Sequence, residues 1–468
     1  MSDVFDVIVI GAGPAGENVA DRAARGGLSV AVVEKELAGG ECSYWACIPS
    51  KTLLRPVELA AEVSRVPGLE VAPIDTAAVL GRRDAMVSRY DDGGQVEWLD
   101  SVPVTFIRGR GRLAGVRQVR VDGARDADGP LLARHAVVLA TGSVPVIPPI
   151  EGLAEAEPWT NREATGVKDV PERLVVIGGG VVACEMAQAL HRLGAADTTM
   201  IVRGDGLLGR VEPFAGELVH RSLTEQGVRI LLGRNAVKVE RPVAGGEVTV
   251  HLDDGSRVVA DEILVATGRR AAVDGLGLDT VGLSRPGPVD DSMRVTGVEG
   301  GWLYAVGDVN GRNLLTHMGK YQARVCGDVI AARARGDADT LPNMRARADD
   351  VGAPQVVFTE PQVCAVGRTE ARAREEGFPV RAVEYDLGGV AGASLVAEGY
   401  RGRAKAVVDT DRRVLLGVTF AGQGVAEMLH AATIAVTAEV TLDDLWHAVP
   451  AFPTISEVWL RLLEAYGM

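Results

Sequence analysis

One pattern occurs twice in this chain, and it leaves few folds open. Val7-Ile8-Val9-Ile10 runs into Gly11-Ala12-Gly13-Pro14-Ala15-Gly16, and Leu174-Val175-Val176-Ile177 runs into Gly178-Gly179-Gly180-Val181-Val182-Ala183. Each copy is a β-run, a G-x-G-x-x-G/A turn and an apolar helical stretch, Val19 to Ala24 in the first and Met186 to Leu193 in the second. In such a turn the first glycine (Gly11, Gly178) permits the tight bend and the second (Gly13, Gly180) lets the backbone approach a pyrophosphate. The third small residue (Gly16, Ala183) lets helix and strand pack closely. The pyrophosphate then rests on the positive end of the helix. One glycine-rich turn arises easily by chance, whereas two in the same β-turn-α context predict two dinucleotide-binding units. After the first, the strand Val30 to Val33 ends in Glu34, where a carboxylate holds adenosine ribose hydroxyls and repels a 2′-phosphate. After the second, Thr199 to Val202 ends in Arg203, with Arg210 behind it. Guanidinium groups there suit the 2′-phosphate of NADP, the alternative being solvated surface arginines.

With 468 residues the chain is too long for one ordinary core. Strand ends at Ala140-Thr141-Gly142 and Ala266-Thr267-Gly268 match one another, and Leu303 to Asp308 reads as a later strand closing on Gly-Asp. The chain is therefore expected to leave its first domain, make a second and return. Beyond about residue 346, strands at 356–358 and 403–408 and a helix at 426–438 read as a separate α+β domain. The expected boundaries are 1–150 and 276–345 for the first domain, 151–275 for the second and 346–468 for the third. A net charge of −14 argues against nucleic acid as a partner. No apolar run is long enough for a membrane span. Met1 to Asp6 leads directly into a strand with no visible export signal, so a cytoplasmic location is expected.

Five cysteines in such a chain do not make a structural disulfide framework. Two of them, Cys42 and Cys47, flank Ser43-Tyr44-Trp45-Ala46 and precede Ile48-Pro49-Ser50-Lys51. Five residues apart in one continuous helix, their Cα atoms would be separated by more than about 8 Å, beyond the usual disulfide limit of about 6.8 Å. A redox pair here must straddle a helix start, and Pro49 is tolerated in a first turn. Cys47 then falls at the helix N-terminus, where the dipole favours a thiolate. Cys184, Cys326 and Cys364 stand in apolar or helical surroundings and read as structural.

Taken together, Gly11 to Gly16, Cys42 to Lys51, Gly178 to Glu185, Ala266 to Arg269, Tyr304 to Asp308 and Pro453 to Glu457 resemble the flavoprotein pyridine nucleotide-disulfide oxidoreductases, which include dihydrolipoamide dehydrogenase, glutathione reductase and mercuric reductase. The resemblance covers essentially the whole chain. It implies an α/β fold with two Rossmann-like dinucleotide-binding domains plus a C-terminal α+β dimerisation domain, hence a homodimer, with FAD and a nicotinamide nucleotide as cofactors. NADPH is expected from Arg203, with NAD as the alternative. Carried over, the resemblance makes Cys47 the thiol beside the flavin and Cys42 the thiol that attacks substrate. Lys51 lies near flavin N5 and pairs with Glu185, the alternative being a surface ion pair. Glu34 binds FAD ribose and Asp308 the ribityl chain, while Thr141, Gly142 and Gly268 belong to the cofactor-binding strand ends. No metal site is implied.

The sequence departs from that family at its substrate side. Members that reduce ordinary disulfides carry a His-Pro-Thr-x-Ser-Glu run whose histidine exchanges protons with the attacking and leaving thiols, whereas this chain has Phe452-Pro453-Thr454-Ile455-Ser456-Glu457. Phenylalanine transfers no proton, and loss of a positioned acid/base costs about 10²–10⁴ in rate. Glu457 acting alone, Tyr44, His447 or a substrate needing no acid are the candidate replacements. Mercuric reductases lack this histidine too, but carry a C-terminal cysteine pair that this chain lacks. Tyr44 and Trp45 add bulk to the redox loop, where packing is the expected role. The leading expectation is an FAD-dependent NADPH oxidoreductase passing electrons to Cys42–Cys47 and on to a small-molecule acceptor. The alternatives are a diaphorase or quinone reductase using flavin directly, the lipoamide-oxidising component of a multienzyme complex, and a redox-responsive binding protein.

Overall fold

The computed structural model describes residues 4–123, 129–337 and 344–468. The Met1–Asp3 part of the expected lead-in to the first strand lies outside them. The chain divides into two compact units. One comprises the chain through Ile48 with Asp84–Val144 and Arg269–Asp349; the other comprises Pro49–Arg83, Pro145–Gly268 and Asp350–Met468.

The first unit is built on a strand that both faces of the core cover. In β1 (Val4–Ile10), residues Val7 to Ile10 are all buried, the continuous apolar run expected of a parallel strand with helices on either side. Helix α1 (Pro14–Arg25) follows, with proline in its first turn and Val19, Ala20, Ala23 and Ala24 turned inward. Then come β2 (Val30–Glu34) and the short helix α2 (Gly40–Tyr44), followed by helix α3 (Cys47–Val63), which belongs to the second unit from Pro49 onward. Strands β3 (Val104–Arg108), β4 (Arg110–Gly115), β5 (Gln118–Asp122) and β6 (Leu131–Leu139) complete a sheet of order β3-β2-β1-β6-β5-β4, with strand Leu303–Ala305 added against β6. Strand β1 runs parallel to both neighbours, Ile10 standing opposite Val33 and Leu139. That register lines Gly11, Glu34 and Ala140 along one end of the sheet, where open α/β sheets bind ligands.

Gly11 shows why no other residue serves at the turn. Its φ is +108°, and a Cβ there would sit 2.4 Å from the Ala140 carbonyl oxygen. At Gly16 the space is tighter still, since a Cβ would lie 1.9 Å from Gly11 O. The expected strand at 303–308 is shorter than its apolar run, because Gly307–Asn310 bends into a 3₁₀ turn.

The second unit repeats the parallel motif and adds antiparallel sheets. Strands Arg229–Leu232, Asp197–Val202, Arg173–Ile177 and Glu262–Val265 form a four-stranded parallel sheet, with Ile177 opposite Ile201 and Val265. A three-stranded antiparallel sheet spans residues 236–260. The C-terminal five-stranded antiparallel sheet has Val414–Gly422 at its centre, buried along its whole length. Helices Leu429–Thr437 and Val458–Tyr466 contribute Ala432, Ala435 and Leu462 to its core. The helix expected at 426–438 opens as a 3₁₀ turn over Val425–Met428 before becoming α-helical. Among the described residues no helix is long and apolar enough to cross a membrane.

Candidate active site

Cys42 lies in α2 and Cys47 opens α3, with Trp45 and Ala46 breaking the helix between them. The break meets the geometric requirement that the pair straddle a helix start. Both are half-buried thiols, hydrogen-bonded to each other. The Cys47 Sγ also lies 3.3 Å from Thr316 Oγ1, and Thr316 opens its own helix, Thr316–Ala334. Two helix N-termini therefore meet at Cys47, and their positive ends favour negative charge on its sulfur. The hydrogen bond to Cys47, then burial, then the charge of Cys47 push the Cys42 thiol well above its ordinary range. In the reduced pair the remaining proton belongs on Cys42. Thr316 carried no motif signal; only the fold brings it to the pair.

Aromatic side chains pack the redox loop. Tyr44 is buried, its ring 5.7 Å from that of Trp45, which stacks on Tyr90 at 6.3 Å. Burial, followed by the nearby Asp92, pushes the Tyr44 hydroxyl up to about 12. The other three cysteines are buried, and burial raises each thiol, that of Cys364 to about 12.

The dinucleotide turns of both units have the shape their ligands need. Gly13 caps α1 without a side-chain hydrogen bond, and only Gly40 Cα comes within 4 Å of a Cβ built on it. Gly180 caps Val181–Leu193 in the same way, with nothing within 4 Å, while Gly178 repeats the tight bend against Ala266 O. Uncapped amides beside open space fit a pyrophosphate. The Glu34 carboxylate is oriented by backbone N–H groups of Ala12 and Glu36 at 2.8 and 2.7 Å, a rigid acceptor suited to ribose hydroxyls. Thr141 Oγ1 donates to Ala272 O at 2.8 Å, and the Gly142 carbonyl accepts from Ala272 N–H. The Asp308 carboxyl is raised by burial and accepts from Ser143 Oγ at 2.6 Å. Ser143 Oγ in turn accepts from Arg269 Nε, whose guanidinium reaches Glu41 beside Cys42. This chain of contacts joins segments far apart in sequence.

Sequence reading also missed Glu17, one residue past the third glycine. Burial raises its carboxyl to about 7, and its buried Oε1 has no hydrogen-bond partner among the described residues.

In the second unit Lys51 Nζ lies 2.7 Å from Glu185 Oε2, and Glu185 Oε1 accepts from Phe358 N–H at 2.9 Å. Glu185 is only 3% exposed, so this is no surface pair. Lys51 follows Cys47 by four residues on α3, which puts the two on one helical face. Arg203 and Arg210 are exposed beyond the end of Asp197–Val202. Gly268, with φ +141°, accepts from Val146 N–H. Glu457 is buried and accepts from Gly392 N–H at 3.1 Å, while Phe452 and His447 are exposed.

Comparison with known proteins agrees with these features. Residues 5–330 match the pyridine nucleotide-disulphide oxidoreductase family, and residues 353–462 match its dimerisation domain. Dihydrolipoyl dehydrogenase of Chlamydia muridarum is 30% identical, the match covering 98% of this chain and 96% of that protein. Mercuric reductase of Staphylococcus aureus is also 30% identical, over 97% of this chain and 81% of the relative. The flavoprotein disulfide reductase RclA of Escherichia coli, solved as a Cu(II) complex, shares the fold with a TM-score of 0.83 at 23% identity, 99% of each chain being covered. This chain belongs to the pyridine nucleotide-disulphide oxidoreductase family, whose members are FAD-dependent enzymes using a nicotinamide nucleotide and a redox-active disulfide.

Proposed function

We propose that the protein passes an electron pair from NADPH to the Cys42–Cys47 disulfide and from there to a small oxidised acceptor. The observation that carries this is the thiol pair at the start of α3, the two sulfurs hydrogen-bonded to each other and Cys47 against Thr316. Gly11, Gly13, Gly16, Glu34, Thr141, Gly142 and Asp308 are assigned to FAD, and Gly178, Gly180, Arg203 and Gly268 to the nicotinamide nucleotide. Bound FAD supplies the exchange of a nicotinamide hydride for an electron pair. Lys51, held by buried Glu185, would supply a positive charge to bound flavin. The chain's own chemistry is at sulfur. Two electrons and one proton turn the disulfide into the Cys47 thiolate and the Cys42 thiol. Cys42, its proton passing to water or to the departing group, attacks a disulfide acceptor and releases one half of it. Cys47 then attacks the Cys42 sulfur, releasing the other half and re-forming the Cys42–Cys47 disulfide.

Phe452 cannot take that proton, which favours acceptors whose leaving group departs as a stable anion or that need no proton from the protein. Glu457, buried and hydrogen-bonded, is the carboxylate retained from the usual histidine-bearing run. Relatives named mercuric reductase bring mercuric ion into the acceptor panel, alongside disulfides and quinones. The matched dimerisation domain, with Val449 and Phe452 at 84% and 77% exposed, supports a homodimer. A cytoplasmic site of action accords with a thiol-based redox centre.

The test is the Cys42→Ser/Cys47→Ser double variant beside wild type, under anaerobic NADPH. One equivalent of NADPH should expose two additional titratable thiols in wild type and none in the variant, and acceptor turnover should disappear. If the variant retains FAD and full turnover with quinones, electrons leave directly from the flavin and the enzyme is a diaphorase.

A further inference from the structure

A cavity of about 700 Å³ opens within the first unit, away from every residue assigned to the redox pair or the dinucleotides. Its wall is formed by β6 at His135 and Ala136, by the loop from Arg294 to Gly301, by Tyr304 and by the last turn of helix Thr316–Ala334. That helix separates it from the redox pair. Thr316 and Arg333 are 17 residues apart, and at 1.5 Å rise per residue this amounts to about 25 Å.

The charge of the lining is what distinguishes the cavity. Three arginines, Arg117, Arg294 and Arg333, and one histidine, His135, face it, and among the described residues no carboxylate does. The chain as a whole carries −14, so this concentration of cations runs against its composition. Neighbouring acids only partly offset it. Asp290 takes Arg294 Nε at 3.1 Å, and Asp6, 3.9 Å from His135 Nε2, is shared with Arg134. Arg333 donates to the Tyr304 hydroxyl at 2.9 Å and sits at the negative end of its helix, whose dipole absorbs part of its charge.

The Arg117 Nε is buried and, among the described residues, has no hydrogen-bond partner. The same residue holds a left-handed backbone conformation, φ +57°, which non-glycine residues adopt rarely and which persists where the surroundings enforce it. Its carbonyl accepts from Ala133 N–H at 2.9 Å, tying the turn to β6. An anionic ligand in the cavity would offset this concentrated charge and be held by the fork geometry that guanidinium groups offer to phosphate oxygens.

We propose that this cavity is a binding site for a small organic phosphate, separate from the FAD and nicotinamide sites. The volume falls in the range of about 300–1,000 Å³ typical of small-molecule pockets. Tyr304 and Ile330 supply an apolar wall for the organic part, and Arg117 with Arg294 the phosphate contacts.

The test is calorimetric titration of the FAD-loaded, full-length protein with ATP, with pyrophosphate and with citrate at matched ionic strength. Saturating NADP⁺ is present to fill the dinucleotide site. The expected result is one ATP site per chain, at least tenfold tighter than citrate, with pyrophosphate binding at the same site in competition. Arg117→Gln should weaken ATP binding at least tenfold while leaving the rate of flavin reduction by NADPH unchanged. Arg294→Gln gives an independent check should the first variant fold poorly. Absence of saturable ATP binding, binding that NADP⁺ abolishes, equal affinity for citrate, or undiminished affinity in both variants would each overturn the proposal.

Discussion

Coenzyme choice and pH response rest on single side chains. Arg203 and Arg210 are exposed beyond the strand that follows the second glycine turn, where the proposed function puts the 2′-phosphate of NADPH, and a charge-assisted bond to such a phosphate contributes about 1.5–3 kcal/mol. Arg203→Ala should therefore shift the ratio of the NADPH and NADH Michaelis constants by about tenfold or more toward NADH. An unchanged ratio would overturn the assignment of this strand end to a 2′-phosphate. Glu17 makes a different claim. In the folded chain it keeps its proton to about pH 7, whereas its ordinary value is 4.5. Between those values the folded state binds more protons than the unfolded one, so stability contributed below pH 4.5 is lost as pH rises toward 7. The loss is at most about 3 kcal/mol. Replacing Glu17 by Gln should raise the Tm of the protein at pH 8 by a few degrees and change it little at pH 5. Equal shifts at both pH values would show that the carboxyl does not titrate as described.

At the scale of elements, the decisive contacts are between backbone and backbone. The first turn works because Gly16 lets α1 pass over Gly11, and a Cβ there would stand 1.9 Å from a carbonyl oxygen. Gly16→Ala is expected to cost about 1–3 kcal/mol, seen as a lowered Tm, and to reduce the flavin content of the purified protein. A variant with normal stability and full flavin would mean that α1 can move aside without consequence. Helix α3 shows a second kind of constraint. Proline at its third residue and a break at Trp45-Ala46 place Cys47 at the helix start, so the spacing of two cysteines and one proline already implied the local geometry. That Thr316–Ala334 brings a second N-terminus to the same sulfur was not legible, because its first turn carries no glycine motif and lies far along the chain.

For the whole molecule, the exposed Phe452 is the most informative surface feature. An aromatic ring 77% exposed, carried by a matched dimerisation domain, is expected to be buried by a second copy of the chain. Phe452→Asp should weaken dimerisation about 30-fold or more, the equivalent of about 2 kcal/mol for a central aromatic, measured by sedimentation across a concentration series. Unchanged association would place the ring outside the interface. The sequence alone determined the family and the α/β class, because the glycine turns and buried β-runs are local patterns whose sterics admit one solution, and they occur twice. It equally placed Phe452 where the resemblance expects a histidine, since a residue type at a motif position is visible without coordinates. Only the tertiary structure decided which distant side chains meet. The route from Asp308 through Ser143 and Arg269 to Glu41, the burial of Glu17 and the arginine-lined cavity each join segments whose local sequence is unremarked. The physical reason is that periodicity tells a strand or helix which face to bury, while long-range proximity follows from how whole elements pack.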